Sequence, residues 1–122
     1  MASKPSPNAG DVPIVLDGED FVLKPSLDCA STLSRQGGGF AGMSSRLATI
    51  DLDATVMVIT QGLGLKGQDA KEVPGKVYRT GVGELAGPCI RFVNNLANGG
   101  RPPNEEEADD TGGSTRPQTA SS

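Results

Sequence analysis

The chain has 122 residues, of which 35% are hydrophobic and only 3% aromatic, and its formal net charge is −4. This length allows one domain at most, with a mainly aliphatic core of modest stability. Because no part of the chain is strongly basic, the composition argues against a nucleic-acid-binding protein. No apolar run approaches the length needed to span a bilayer, so we also expect no membrane partner.

The two ends of the chain differ in composition from the middle. Residues 1–10 contain two prolines and a glycine and are predicted to be flexible. Residues 101–122 contain no large apolar side chain and carry an acidic run, which predicts a disordered tail. Residues 11–100 should therefore form a single folded α+β domain. The N-terminus lacks the pattern of a signal peptide, and we expect a cytoplasmic location.

Two short apolar runs predict a β-hairpin near the N-terminus. They are Val12-Pro-Ile-Val-Leu and Phe21-Val-Leu, and Asp17-Gly18 lies between them. Asp-Gly is a strong turn signal because both central residues of a type I′ turn need positive φ. Phe21 and Leu23 should face the helices while Val22 faces the other way.

Two short helices are predicted after the hairpin. Ser26 is a capping residue for the first, whose apolar positions are Leu27, Ala30 and Leu33. Three glycines at 37–39 then break it. A phosphate-binding loop would need a following Gly-Lys-Ser/Thr, so a flexible or sharply turned connection is the better interpretation. The apolar positions of the second helix are Phe40, Met43, Leu47 and Ile50.

The longest apolar-rich run, residues 51–65, predicts the central core helix. Its apolar stripe, at steps of four, three and four, consists of Leu52, Val56, Ile59 and Leu63. Asp51 or Asp53 could cap the first turn, and Gly62 and Gly64 supply the end. A strand is the alternative, because residues 55–60 are rich in β-branched side chains.

The remaining core should come from the last predicted helix, residues 84–97. Before it, residues 66–68 are predicted to be a loop, and Asp69 to cap a helix that is kinked or restarted at Pro74-Gly75. The predicted architecture is thus an N-terminal β-hairpin packed on a small bundle of about four to five short helices. The predicted main core consists of Leu52, Val56, Ile59, Leu85, Phe92 and Leu96.

The search for chemistry finds little. The chain has no histidine, the commonest metal ligand and general base. Cys29 and Cys89 are sixty positions apart, and we expect both to be small buried side chains and not a disulfide or metal pair. The sequence therefore predicts no catalytic, cofactor or metal site and no enzyme, although composition alone leaves cysteine and carboxylate chemistry open.

Four stretches together resemble a known family. The chain opens with Gly10-Asp-Val-Pro-Ile-Val-Leu-Asp-Gly-Glu and Phe21-Val-Leu-Lys-Pro-Ser, turns at Gln36-Gly-Gly-Gly-Phe, and closes with Gly83-Glu-Leu-Ala-Gly-Pro-Cys-Ile-Arg-Phe-Val-Asn-Asn-Leu-Ala-Asn-Gly-Gly. This layout is similar to that of small phage tail proteins related to the gene transfer agent tail genes, a group of tail assembly chaperones and tail tube proteins. The resemblance covers about residues 10 to 100.

The resemblance implies a non-enzymatic tail assembly chaperone that binds tail-tube protein, tape-measure protein or both in the cytoplasm of the bacterial host. One alternative is a structural tail tube or minor tail protein that stays in the virion tail. Another, of a different class, is a small cytoplasmic regulatory protein-binding module. Self-association is a further option, and no cofactor is implied.

The partner-binding residues proposed from the sequence are Phe21, Val22 and Leu23. Hairpin edges are templates for another chain, and an added strand or a neighbouring apolar patch would suit a tail partner. The alternative is that the hairpin only covers the helices and that a helical face makes the partner contacts.

Overall fold

A computed structural model of the chain describes residues 9–102. The elements in order are β1 (Val12–Leu16), β2 (Glu19–Leu23), α1 (Leu27–Gly37), α2 (Phe40–Ala48), α3 (Leu52–Leu63), α4 (Gly67–Thr80) and α5 (Val82–Ala97). The predicted α+β fold, a hairpin followed by a small bundle of helices, is confirmed. The predictions for residues 1–8 and 103–122 lie outside the described residues.

The hairpin has the predicted turn. Asp17 and Gly18 both have positive φ, 54° and 81°, as a type I′ turn requires. The two strands are antiparallel, and Leu16 is paired with Glu19 directly beside the turn. In such a two-residue hairpin this first pair is hydrogen bonded, and bonded and non-bonded pairs alternate from there.

Pro13 is tolerated because of this alternation. It is paired with Val22, three pairs beyond the bonded Leu16–Glu19 pair, and so falls at a non-bonded position. The backbone groups of both residues point away from the partner strand. The missing N–H of Pro13 therefore costs no bond within the hairpin and lies on the outer edge of β1.

The inner face of the hairpin lies on the helices. β1 packs against α4 and α5, and β2 packs against α3. The buried hairpin side chains are Val12, Ile14, Leu16 and Leu23. A two-stranded ribbon is marginal alone, and this apolar face explains why it is stable here.

Gly62 allows the closest approach between the hairpin and the bundle. An added Cβ at this position would lie 2.8 Å from Leu23 Cδ2 and 3.2 Å from Phe92 Cε2. The backbone N–H of Lys24 also donates to the Gly62 carbonyl at 3.0 Å. A glycine on α3 therefore lets β2, α3 and α5 meet at one point.

The first two helices form the sharp corner predicted from the three glycines. Ser26 Oγ accepts a hydrogen bond from the Cys29 N–H at 3.1 Å, which confirms the predicted cap. Gly38, with φ 73°, ends α1 in the left-handed conformation. At the corner an added Cβ on Gly42 would collide with the Gly37 carbonyl, so the end of α1 and the start of α2 are in close contact.

The central helix is a helix and not a strand. Asp51 Oδ1 accepts a hydrogen bond from the Ala54 N–H at 2.9 Å, and Gly64 ends the helix with φ 67°. Its buried face, however, differs from the predicted stripe. The buried residues of α3 are Ala54, Thr55, Val58, Ile59 and Gly62.

Three apolar residues predicted to face the core are exposed. Leu27 is 83% exposed, Ile50 49% and Leu52 39%. Leu27 and Leu52 are the first residues of their helices, and Ile50 follows α2 with a φ of 60°. The prediction from periodicity continued the apolar stripe of each helix to its end. At the helix ends, however, these side chains no longer face the core. Placing Leu52 in the core was wrong.

The rest of the predicted core is largely confirmed. Ile59, Leu85, Phe92 and Leu96 are buried, and Val56 is half-buried. The predicted main core omitted several buried residues. Most of them have small side chains, such as Ala54, or lie in the hairpin or α4, such as Val73 and Val77.

Helix α4 corrects three predictions. It runs without interruption from Gly67 to Thr80, so the loop at 66–68 and the restart at Pro74 are wrong. Asp69 lies in the first turn and is not the capping residue. Val73 and Val77 are buried, and this packing holds the helix together across the exposed proline.

Asn95 joins both ends of the described chain. The Nδ2 of its buried side chain donates to the Gly10 carbonyl at 3.0 Å. The backbone carbonyl of Asn95 accepts a hydrogen bond from the Gly100 N–H at 2.8 Å. Gly10 is itself buried, against the backbone of Gly100. The packed part of the chain therefore includes Gly10.

Two glycine-to-alanine variants should change stability in opposite directions. Gly62→Ala should lower the free energy of unfolding by about 1–2 kcal/mol, because overpacking against Leu23 exceeds the roughly 1 kcal/mol that alanine gains over glycine in a helix. Gly83→Ala, in the first turn of α5, has open space around the new methyl group and should be stabilising by about 0.5–1 kcal/mol. Urea unfolding measures both. A stabilised Gly62→Ala protein would contradict the close packing.

Ile59 and Leu52 distinguish the observed α3 face from the predicted one. Ile59→Ala should cost about 2–5 kcal/mol because the side chain is fully buried. Leu52→Ala should cost less than about 1 kcal/mol because much of its surface is already in water. Thermal or urea unfolding of both variants gives the comparison. If the two variants lost equal free energy of unfolding, Leu52 would belong to the core after all.

Candidate protein-interaction surface on the hairpin

The outer face of the hairpin carries an exposed apolar patch, formed by Pro13, Val15 and Val22. Val15 is 53% exposed and Val22 37%. Pro13 and Val22 are opposite each other in the register, and Val15 follows on the same face of β1. Alternation along the strands places the inner-face residues on the core and leaves these three toward solvent.

The three residues proposed from the sequence have different positions. Leu23 is fully buried and belongs to the core, so it is not available to a partner. Phe21 is half-buried, with Lys76 Nζ 5.9 Å from its ring centroid. Val22 is the member of the three whose side chain is exposed.

The edges of the hairpin are only partly open. On β1, Pro13 has no N–H, and the Asp17 N–H donates to Thr80 Oγ1 at 2.6 Å. On β2, the Lys24 N–H is bonded to Gly62. The outward backbone groups of Asp20 and Val22 have no further hydrogen bond within residues 9–102. The Val15 backbone on β1, opposite Asp20, also points outward and has no hydrogen bond within these residues, so the open edge positions are Val15 on β1 and the short segment from Asp20 to Val22 on β2.

A groove of about 620 Å³ lies between the hairpin and the helices. We call it the hairpin groove. Residues 13–15 and 20–22 line it on the hairpin side, and Thr80, Glu84, Leu85 and Pro88 line it on the side of α4 and α5. The exposed apolar patch is part of this lining, so the patch and the groove form one continuous surface.

An ion pair fixes the turn end of the hairpin to α4. Arg79 Nε and Nη2 bind the two carboxylate oxygens of Asp17 at 3.2 and 2.9 Å. This side-chain hydrogen bonding by Arg79 lowers the pKa of Asp17 below its ordinary value of 3.8. Thr80 Oγ1 accepts the Asp17 N–H and donates to the Lys76 carbonyl at 2.8 Å. The hairpin is therefore held at its turn as well as along its inner face.

Other chemistry in the described part of the chain is sparse. Cys29 and Cys89 are buried and unpaired, as predicted, and burial raises their thiol pKa values to about 11 and about 12. Thiols with such pKa values are weak nucleophiles at neutral pH. Within residues 9–102, no three His, Cys, Asp or Glu side chains gather as a metal site.

A second, smaller cavity of about 400 Å³ lies between the start of α1 and the end of α5. Leu27 and Leu96 are among its lining residues. It is the alternative helical surface for a partner, because the exposed Leu27 side chain stands at its margin.

The sequence pointed to Val22 but missed Val15, Pro13 and the helical side of the groove. The alternation of β1 was a usable signal, since Val15 lies between two core-facing residues. Pro88 and Glu84 could not be assigned to this surface, because only the packing of α5 against β1 brings them there.

None of the helices formed by residues 9–102 is both long and apolar enough to cross a membrane. Comparisons with protein-family models, curated proteins and solved structures found no match to the chain.

The Asp17–Arg79 pair predicts a specific loss of stability in acid. Because the folded-state pKa of Asp17 is lowered, its contribution is present above 3.8 and is lost as pH falls through the folded-state value. Asp17→Asn keeps a residue that tolerates positive φ but removes the charge. The difference in free energy of unfolding between wild type and Asp17→Asn should therefore narrow between about pH 6 and about pH 3.

Urea unfolding at several pH values measures this difference. Arg79→Gln should show the same narrowing, because it removes the other partner. A difference that stays constant over the whole pH range would rule out the ion pair as its source.

Proposed function

We propose that the protein is a non-enzymatic tail assembly chaperone of a phage or gene-transfer-agent-like particle. It binds tail-tube protein, tape-measure protein or both before the tail polymerises, in the cytoplasm of the bacterial host. The observation that carries the proposal is the exposed apolar patch of Pro13, Val15 and Val22 beside an open segment of β2 edge. The choice of tail-tube and tape-measure proteins as partners comes from the resemblance of residues 10–100 to small phage tail proteins.

The patch suits a transient partner. Tail-tube subunits that await polymerisation have strand edges and apolar surfaces that would otherwise associate. The open edge offers one N–H and one carbonyl from each of Asp20 and Val22, so an added strand gains only about four hydrogen bonds. A short edge and a small patch favour a contact that can be released during assembly.

The strands argue against the alternative of a tail tube protein that remains in the particle. Each strand within residues 9–102 has five residues, and their sheet has two strands. A closed ring of tube subunits needs longer strands joined from subunit to subunit.

Val22→Lys is the central test of the hairpin as the binding surface. The substitution puts a charge into the apolar patch but leaves the inner face of the hairpin unchanged. We expect a folded protein that no longer co-purifies with co-expressed tail-tube or tape-measure protein. Circular dichroism and thermal unfolding check that the variant is folded.

Leu27→Lys is the matched control, because it also replaces an exposed apolar side chain with lysine but lies at the second cavity. It should bind like wild type. The hairpin is excluded as the site if Val22→Lys binds fully, and loss of binding by Leu27→Lys alone would move the site to the helical surface.

Mass spectrometry of purified particles separates the chaperone from a structural subunit. A chaperone should be absent or present in trace amounts relative to tail-tube protein, whereas a tube or minor tail protein is retained at a fixed ratio. Retention of this chain at such a ratio would replace the chaperone function with a structural one.

A further inference from the structure

We propose that the hairpin groove selects partner segments in which a lysine or arginine side chain lies between apolar side chains. The proposal rests on the protein-binding function proposed for the hairpin and adds the chemistry of the partner.

The groove has acidic groups and no basic ones. Asp20 lines it from the hairpin and Glu84 from α5, and no lysine or arginine is among its lining residues. Neither acid takes part in an ion pair or side-chain hydrogen bond within residues 9–102. Both carboxylates are therefore free to pair with a cation that a partner brings.

The cations nearest to the hairpin are already engaged. Each is paired with an acid outside the groove: Lys24 with Asp11 at 3.6 Å, Lys76 with Glu72 at 4.0 Å, and Arg79 with Asp17 at 2.9 Å. Lys76 also lies over the Phe21 ring. The chain therefore supplies counter-charges to the surroundings of the groove but leaves the groove itself negative.

Pro88 adds a further acceptor. A proline inside a helix has no N–H to give to the carbonyl four residues earlier, which here belongs to Glu84. That carbonyl loses its usual helical donor on the wall of the groove. Lysine and arginine carry only donors, so a side chain of either type matches both the carboxylates and this carbonyl.

The apolar residues that line the groove determine which residues should accompany the basic side chain in the partner segment. Val15, Val22 and Pro13 lie on one face of the hairpin, beside the acid at position 20. In an extended partner segment, side chains alternate between two faces. Residues two positions before and after a basic residue share its face, so apolar residues at those positions would contact the patch while the basic side chain contacts Asp20.

A second copy of the chain does not fit this site. Groove-to-groove contact would bring Asp20 and Glu84 of both copies together, and like charges facing each other are unfavourable. Edge pairing of two β2 strands is also blocked beyond Lys24, where Gly62 occupies the edge.

Two synthetic peptides test the proposal with the full-length protein. The basic peptide is Gly-Val-Ser-Lys-Ser-Val-Gly, in which the two valines and the lysine share one face of an extended chain, and the acidic peptide has glutamate in place of the lysine; both are capped at their ends. Amide NMR shifts of isotope-labelled protein report the binding and its location. We expect the basic peptide to shift residues of the hairpin groove with a Kd below about 1 mM, and the acidic peptide to bind at least about tenfold more weakly.

The charge-neutralised double variant, Asp20→Asn with Glu84→Gln, should bind the basic peptide about three- to tenfold more weakly. The matched control, Asp28→Asn with Asp69→Asn, makes the same change in net charge at two exposed helix starts and should bind like wild type. Equal affinity for the two peptides, shifts outside the groove, or no binding below about 1 mM would overturn charge selection.

The two proposals fail in different ways. If Asp20→Asn with Glu84→Gln still co-purifies fully with the tail proteins while Val22→Lys does not, the charge selection is wrong and the chaperone function stands. If the peptides show the expected selectivity but wild type binds neither tail-tube nor tape-measure protein, the tail function is wrong and the groove specificity stands.

Discussion

The close contact at Gly62 is the constraint on which the rest of the structure depends. It brings β2 onto α3 while Phe92 of α5 approaches from the other side, and the Lys24 N–H bonds the Gly62 carbonyl at the same point. A larger residue there would push the hairpin away from the bundle. The inner face of the hairpin would then lose its contacts, and the groove between hairpin and helices would change shape. The candidate binding surface therefore depends on a glycine that is not among the residues lining it.

The outer surface of the hairpin follows from how its inner face is held. The Asp17–Arg79 pair fixes the turn, and the buried side chains of β1 fix the strand. The side chains of Val15 and Val22 are therefore held toward solvent. A rigid platform reduces the entropy that ordering on binding would cost. Hydrogen bonds of the Asp17 and Lys24 N–H groups engage the backbone at the strand ends, which leaves Val15, Asp20 and Val22 as the positions where a partner strand can pair.

The sequence predicted most elements of the fold because their signals are local. Asp17-Gly18 gave the turn, Ser26 and Asp51 gave helix starts, and periodicity identified the central helix. The faces of the helices were harder to predict. Hydrophobic periodicity follows large side chains, whereas α3 presents small ones such as Ala54 and Gly62 where other elements come closest. The uninterrupted α4 was missed because tertiary packing, not local propensity, holds it across Pro74. The groove likewise depends on contacts between residues distant in sequence, and only Val22 of its exposed patch was found beforehand.

The bonds of Asn95 have a practical consequence for the topology of the chain. Gly10 and Gly100 meet at this one residue, Gly10 on its side chain and Gly100 on its backbone carbonyl, at the end of β1 away from the turn. A short linker between the two ends would therefore close the chain into a ring without disturbing the bundle. New termini could be opened in the connection between α3 and α4, at the left-handed Gly64. The chain therefore enters and leaves the described fold at the same place, beside Asn95.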